Sequence, residues 1–543
     1  MRRASVVKKM SYIQPRTGFF QRLSLSKMAK IEMALAGKNH SSPAMPPARQ
    51  AQYCQPKNTL MLRALLSITL FCLTLAAQAQ APAAWQKAAE QLAASPQLEH
   101  GLAGIAVIDV ATGKTVASTN GKLSIKPASN LKVLTTGTAL ALLGPDYRFE
   151  TRLEYDGTIG PQGVLEGHLY LYGEGDPTLG SPLHEEASSR KALLEAWRMA
   201  IQKAGIREIR GQIIGDASLF GDQAYIPTWQ WEDMGNYYAA GAWSLNWHEN
   251  LHYLRFQQAQ EGKPPQLKGT EPFVPGLSFT NSVVSGSPGS GDNAYIFGAP
   301  YQYERYVRGS IPAGHGEFTI KGALPNPPLL VAQELEQELR KIGVVTKGAA
   351  AIFNPKQGQR KVLHRHQSPT LAAIVMQANQ KSVNLYCEVL LRAIGWRKGA
   401  APTPEAGIKA MQEYWEGRGL DWGGVALDDG SGLSEANTVT ANFLAAFMRK
   451  MALGPEGVYE AFLASLPLAG RTGSLKNTLK GTAAEGRLYA KTGTLERVRG
   501  LTGYTRSSSG ALLAFSVIVN NYEGPGWEIR KAMERFLLSL CTQ

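Results

Sequence analysis

Pro127-Ala128-Ser129-Asn130-Leu131-Lys132 runs straight into Val133-Leu134-Thr135-Thr136-Gly137-Thr138-Ala139-Leu140-Ala141-Leu142-Leu143-Gly144. After Lys132 it carries no charge, and its Leu, Ala and Thr residues describe a buried helix that Gly144 closes. Ser129 and Lys132 stand three apart at the helix start, so they project on the same face. A serine hydroxyl is a poor nucleophile at neutral pH and needs a base within hydrogen-bond reach. A lysine held beside another cation has a lowered pKa, and its neutral amine can take the serine proton. Backbone N–H groups at a helix start also suit a developing oxyanion. The competing role for Ser129 is a helix cap. Ser24–Lys27 and Ser188–Lys191 repeat the spacing, but one lies in a basic leader and the other in a polar run.

Outward from this helix, Gly104–Val110 and Thr115–Ser118 read as strands joined at Gly113, and a helix precedes them over Trp85–Ala94. Arg148–Tyr155 alternates like a strand. Between 155 and 360 the texture changes to short β-like runs broken by Gly and Pro, such as Leu165–Tyr172, Gln212–Asp216, Asn250–Phe256 and Phe318–Lys321. Two helices, Lys191–Ala204 and Leu330–Ile342, lie among them. Helical patterns return from Ser368, notably Glu405–Glu416 and Thr440–Met451. Arg487–Ala490, Gly500–Tyr504 and Leu512–Asn520 then read as neighbouring strands, followed by a helix over Trp527–Leu540. The pattern predicts one α/β (α+β) domain built from 80–154 and 361–543, split by a β-rich insert of one or two domains over 155–360.

The chain has 543 residues and a formal charge of +14. Residues 1–60 hold eleven Lys/Arg against Glu32 alone, and Arg63 adds one more, so the remainder carries only about +3. That remainder has no basic cluster or aromatic platform for nucleic acid. Leu65–Ala77, with Arg63 before it and Ala77-Gln78-Ala79 after it, reads as a signal peptide over 61–79, cleaved near Ala79. Met61 is the expected start, with 1–60 an over-extended reading frame. The expected product is exported and periplasmic, without an integral membrane span once the signal is removed. Cys54 and Cys72 belong to the leader. Cys387 and Cys541 are far apart, in no metal-ligand spacing, and read as buried thiols, although export permits a bridge.

Two further motifs carry chemistry. Lys491-Thr492-Gly493-Thr494 follows the strand-like Arg487–Ala490, placing a cation and two hydroxyls on an edge strand, with Gly493 leaving room for a substrate backbone. A terminal carboxylate would meet Lys491 and the threonine hydroxyls. Ser382-Val383-Asn384 stands at the mouth of a helix, where the hydroxyl can relay a proton and the amide can hold a carbonyl. Ser244-Leu245-Asn246 copies the pattern but leads into a strand-like segment.

The ordered set Ser-x-x-Lys, Ser-x-Asn, Lys-Thr-Gly is more specific than any member, and it resembles the penicillin-binding proteins and serine β-lactamases. Ser129 and Ser382 are 253 residues apart, and Ser382 and Lys491 are 109. That long first interval, with Gly173–Leu179, Asp429–Ser434 and Leu466–Gly470, resembles the low-molecular-mass class C penicillin-binding proteins, the D-alanyl-D-alanine carboxypeptidase/endopeptidase family. The resemblance runs from about 85 to 540. It departs at Glu174, where glycine is common, and at Glu435, where a basic residue is usual. It implies the penicillin-recognising fold, an antiparallel sheet flanked by helices. It implies Ser129 as acylated nucleophile, Lys132 as base and Ser382 as proton relay. Asn384, Lys491, Thr492, Gly493 and Thr494 would bind substrate, with the N–H groups of Ser129 and Thr494 as oxyanion hole. The implied substrate is the peptidoglycan stem peptide, β-lactams are the implied covalent inhibitors, and no cofactor or metal is implied. Asp176, before Pro177, reads as a turn aspartate.

His248-Glu249-Asn250-Leu251-His252 supplies the rival reading, a zinc peptidase of the His-Glu-x-x-His type. That chemistry needs a helix to bring both imidazoles to one face. The flanking aromatics and aliphatics read as a strand, which would hold His248 and His252 about 13 Å apart. A third reading, a non-catalytic wall-binding protein, leaves the retention of Lys132 and Lys491 unexplained.

Overall fold

The computed structural model describes residues 82–184, 188–355 and 358–543. The basic leader, the signal segment 61–79, Cys54, Cys72 and the Ser24–Lys27 copy lie outside the described residues.

The first and last parts of the chain share one five-stranded sheet, ordered Tyr489–Leu495, Val498–Arg506, Leu512–Asn520, Leu102–Asp109, Thr115–Thr119. Every neighbouring pair is antiparallel, and the seam between the two parts pairs Leu102 with Asn520 through to Asp109 with Leu513. Period-two alternation explains why this sheet is apolar on both faces. Leu513, Phe515, Val517 and Val519 face a core containing Trp85, Leu92, Ile529 and Phe536, from the helices over 82–93 and Gly526–Thr542. Ala514 and Ile518 face the opposite core, formed by helices Lys132–Leu143, Leu371–Gln380, Asn384–Arg397, Pro404–Glu416, Ala441–Ala452 and Glu456–Ser465.

Helix Lys132–Leu143 runs through the middle of that second core, with residues 132 to 140 all buried. Its threonines are tolerated because each hydroxyl finds an acceptor. Thr136 and Thr138 donate to Lys132 O and Leu134 O one turn back, and Thr135 donates to Gly430 O. Gly144, at φ 84°, ends the helix as expected.

A second five-stranded sheet is ordered Ala349–Ile352, Ile213–Asp216, Leu169–Gly173, Glu150–Tyr155, Lys361–Gln367, and helices Arg190–Lys203 and Pro327–Lys341 pack on its core. The run Leu165–Tyr172, read as one strand, is two. Val164–Glu166 pairs in a small separate sheet, because the chain turns at Gly167, where a Cβ would lie 2.3 Å from Asp156 O. Two three-stranded sheets complete the intervening segment. One holds Gln266–Glu271, Leu251–Gln257 and Glu317–Ala323; the other holds Ser278–Gly286, Glu304–Pro312 and Asn293–Phe297. Between them lies a small core that includes Leu254, Phe256, Val283, Ile296 and Val307. Cys387 and Cys541 are buried free thiols. Among the described residues no helix is long and apolar enough to cross a membrane.

Candidate active site

Ser129 sits in a 3-10 turn, Ala128–Leu131, that runs directly into the helix at Lys132. Ala128 is held at φ 48°, a region rare for a residue with a Cβ. Gly432 packs against its carbonyl so closely that a Cβ there would lie 1.9 Å from Ala128 O. Lys132 is fully buried, and its Nζ lies 2.9 Å from Ser129 Oγ. It also donates to Asn384 Oδ1 at 2.5 Å and to Ser431 O at 2.7 Å. These last two are obligate acceptors. A neutral amine therefore spends both its N–H groups on them and turns its lone pair toward the serine hydroxyl. Burial pushes the Lys132 pKa down, against the pull upward from Cys387, Asp429 and Glu388.

Ser382 precedes helix Asn384–Arg397 and is itself at φ 59°. Lys491 Nζ donates to Ser382 Oγ at 2.9 Å and to Thr492 O at 2.8 Å. Lys491 is also fully buried, and desolvation, with the Lys132 charge second, drives its pKa well down. Asn384 is anchored at both ends, since its Nδ2 donates to Tyr238 O at 2.7 Å while its Oδ1 accepts from Lys132. Ser129, Ser382, Asn384 and Thr494 line one cleft of about 970 Å³, which Tyr237, Tyr238, Glu249 and Tyr295 also line.

The strand carrying Lys-Thr-Gly is an edge strand, but Gly493 serves a different purpose from the one expected. A Cβ at Gly493 would lie 2.2 Å from Asn130 Nδ2 and 2.8 Å from Pro127 O, and one at Gly500 would lie 2.1 Å from the same Asn130 nitrogen. Gly493 and Gly500 are cross-strand partners. The space they leave is filled by the Asn130 side chain, which locks the serine turn onto the strand, so it is not open to a substrate backbone. Thr494 is exposed on the cleft. Thr492 donates instead to Ser474 Oγ at 2.8 Å and stands apart from the cleft-lining residues.

Sequence reasoning missed the parts that hold these groups. The Ser431 carbonyl is a direct partner of Lys132, and its loop is fixed by Asp429. That buried carboxylate accepts from the N–H groups of Gly432 and Ser434, from Asn437 Nδ2 and from Trp229 Nε1. Glu388, also buried, accepts from Gly430 N at 3.2 Å through each oxygen, and burial with Asp429 nearby pushes its carboxyl up to about 7. Lys132 and Asn384 bond to the backbone carbonyls of Ser431 and Tyr238, and a side-chain pattern does not record that. Glu435, one of the two departures, pairs with Lys126 at 2.7 Å on the cleft rim. Glu174, the other, pairs with Arg152 and Arg397.

The zinc motif does not assemble. His248, Glu249 and Asn250 all have positive φ in a short turn, and His252 lies on strand Leu251–Gln257, so no helix presents the two imidazoles together. Glu249 accepts from Tyr386 Oη at 2.7 Å and Ser181 Oγ at 2.8 Å, tying the intervening segment to the helix of Asn384. Ser244 and Asn246 are buried away from the cleft; Asn246 accepts from Trp243 N and Asn250 Nδ2. Ser189 caps helix Arg190–Lys203, beside the Ser188 copy. Asp176 is a buried turn residue that accepts from Thr178, with burial pushing its carboxyl up to about 6.

Residues 85–540 match the family described as D-Ala-D-Ala carboxypeptidase 3 (S13). The chain belongs to that family. As a member of this peptidase family it is a hydrolase with the penicillin-recognising fold. A D-alanyl-D-alanine carboxypeptidase from Actinomadura sp. is 32% identical to this family member over 79% of the present chain and 80% of its own. The carboxypeptidase DacB from Haemophilus influenzae is 24% identical over 77% and 85% of the two chains. The crystal structure of penicillin binding protein 4 from Haemophilus influenzae superimposes with a TM-score of 0.69 at 23% identity, covering 82% of this chain and 96% of that one. The same protein complexed with a β-lactam gives 0.67. These likenesses carry the fold, with its antiparallel sheet flanked by helices.

Proposed function

We propose that this family member is a serine-type D-Ala-D-Ala carboxypeptidase that acylates Ser129. The observation that carries the reading is the placement of Lys132 Nζ, 2.9 Å from Ser129 Oγ with its other hydrogen bonds committed to two carbonyl-type acceptors. Lys132 takes the Ser129 proton as Oγ attacks the penultimate D-alanine carbonyl carbon, and the carbonyl oxygen becomes an oxyanion held by the N–H groups of Ser129 and Thr494. As the peptide C–N bond breaks, Ser382 passes a proton to the departing amine, with Lys491 against its oxygen. The acyl-enzyme is then hydrolysed by water. Asn384 holds the substrate carbonyl side, and Lys491 with Thr494 receives the terminal carboxylate, with Thr492 a lesser contributor.

The substrate is the stem peptide of peptidoglycan, reached in the periplasm after a signal peptide over 61–79 is removed, and β-lactams acylate the same serine. The catalytic domain comprises 80–154 and 361–543, and 155–360 is an insert that supports the site through Tyr238, Trp229 and Glu249. Glu150–Tyr155 and Lys361–Gln367 pair with each other in the second sheet, whose other strands all fall within 155–360, which favours a junction a few residues outside those bounds, before Glu150 and after Gln367. The test is release of D-alanine from a soluble peptide ending in D-Ala-D-Ala. The wild type releases it steadily and Ser129→Ala does not; equal release by both would remove Ser129 from the reaction.

A further inference from the structure

The three-stranded sheet of Ser278–Gly286, Glu304–Pro312 and Asn293–Phe297 has an unusual outer face. Its inward residues Ile296 and Val307 are fully buried in the small core. Such a sheet ordinarily turns polar side chains to water on the other side. Here the outward positions carry Tyr295 and Phe297, cross-strand from Arg308 and Tyr306. The Phe297 and Tyr306 rings stack with centroids 5.7 Å apart and planes 20° apart. Trp231 lies over both, at 6.1 and 6.4 Å, and Arg308 sits 5.2 Å above the Tyr306 ring. Despite these contacts Trp231 and Tyr295 remain 49% and 48% exposed.

A clustered exposed aromatic face marks an interaction site, since isolated apolar residues are ordinary and contiguous ones are not. Tyr295 connects this face to the catalytic cleft, which it also lines together with Glu232. Flat half-exposed rings, edged by Arg308 and Glu232, suit a ligand with apolar C–H faces and a rim of hydroxyl and amide groups. A hydrocarbon surface would leave those charges unpaired. A pyranose ring has that two-sided character. We propose that the face formed by Trp231, Tyr295, Phe297, Tyr306 and Arg308 binds a β-linked polysaccharide of N-acetylated hexosamines, the glycan strand that carries the peptide substrate. The inference rests on the proposed function for its connection to the cleft. The sugar rings stack on the aromatic face while the attached peptide enters beside Tyr295 toward Ser129.

The experiment uses the full chain and two probes, N-acetylglucosamine tetramer and peptide-free glycan strands, with binding read by quenching of tryptophan fluorescence and by calorimetry. Wild type binds both, and Trp231→Ala weakens calorimetric binding about ten-fold, the size expected for loss of one aromatic anchor. The exposed Arg308→Ala, a milder change, weakens it in the same direction. Acylation by benzylpenicillin and D-alanine release from a soluble peptide stay at wild-type rates in Trp231→Ala, whereas release from intact cell-wall polymer falls. Undiminished glycan binding in Trp231→Ala overturns the proposal. So does wild-type binding only to anionic vesicles or to free stem peptide. Glycan binding that depends on Trp231, in a protein that releases no D-alanine from soluble peptide, supports this face while removing the proposed function.

Discussion

Gly493→Ala gives the sharpest test of how the site is locked together. The added Cβ would lie 2.2 Å from Asn130 Nδ2, short of ordinary van der Waals contact by about 1.2 Å. Asn130 cannot step aside. Its Nδ2 is bonded to Pro127 O at 2.9 Å, and Gly500 bounds it on the other side just as closely. The strand must therefore move by about 1 Å, carrying Lys491 and Thr494 away from Ser129. Overpacking of this kind costs about 1–3 kcal/mol of stability. A 1 Å displacement of positioning groups costs about 10²-fold in rate. Lys132 and Ser129 stay together, because both belong to the serine turn and its helix. Stopped-flow acylation by a fluorescent penicillin, beside thermal unfolding, reads both effects. The double variant Gly493→Ala/Asn130→Gly removes the closer obstruction and leaves only the Pro127 carbonyl, 2.8 Å from the added Cβ, so it should recover part of the lost acylation rate. Wild-type acylation in the single variant, or a double variant that merely adds two losses, would refute the locking argument.

Burial holds the Lys132 pKa below its ordinary 10.5, so acylation should rise with pH along a limb centred below that value. Lys132→Arg, permanently charged, should lose about 10²–10⁴-fold; a pH-independent wild type or an active Lys132→Arg contradicts the base assignment. Glu388, pushed up to about 7 from an ordinary 4.5, keeps in the folded state a proton that the unfolded chain has released. Stability should therefore fall as pH rises from about 4.5 to about 7, by about 3 kcal/mol from this group alone. Glu388→Gln should flatten that part of a denaturant-unfolding profile, and an unchanged slope would show that Glu388 titrates normally.

Much of the fold was legible because its signals are local. Leu512–Asn520 appears as a strand with the bounds read from its apolar run, and Gly144 ends the helix that follows Ser129. The ordered motifs located Ser129, Lys132, Ser382, Asn384 and Lys491, which the structure holds as two hydrogen-bonded groups, Lys132 with Ser129 and Asn384, and Lys491 with Ser382. Three kinds of fact were not legible. Gly167 breaks an apparently continuous run because Asp156, eleven residues earlier and outside that run, crowds it. Gly493 has a non-local reason for lacking a side chain, and its neighbour is Asn130, a residue inside the first motif that carries no chemical signature. The Tyr238 and Ser431 carbonyls act through backbone, which any residue provides. The pairing of Glu249 with Tyr386 likewise turned an apparent metal motif into a structural tie.

Ser129 Oγ is the atom on which acylation by a β-lactam should occur. Incubation with benzylpenicillin, followed by intact-mass analysis and peptide mapping, tests it without assuming a natural substrate. A single covalent adduct is expected on the peptide containing Ser129, absent from a folded Ser129→Ala variant. An adduct mapped to any other residue, or one that persists in Ser129→Ala, would contradict it.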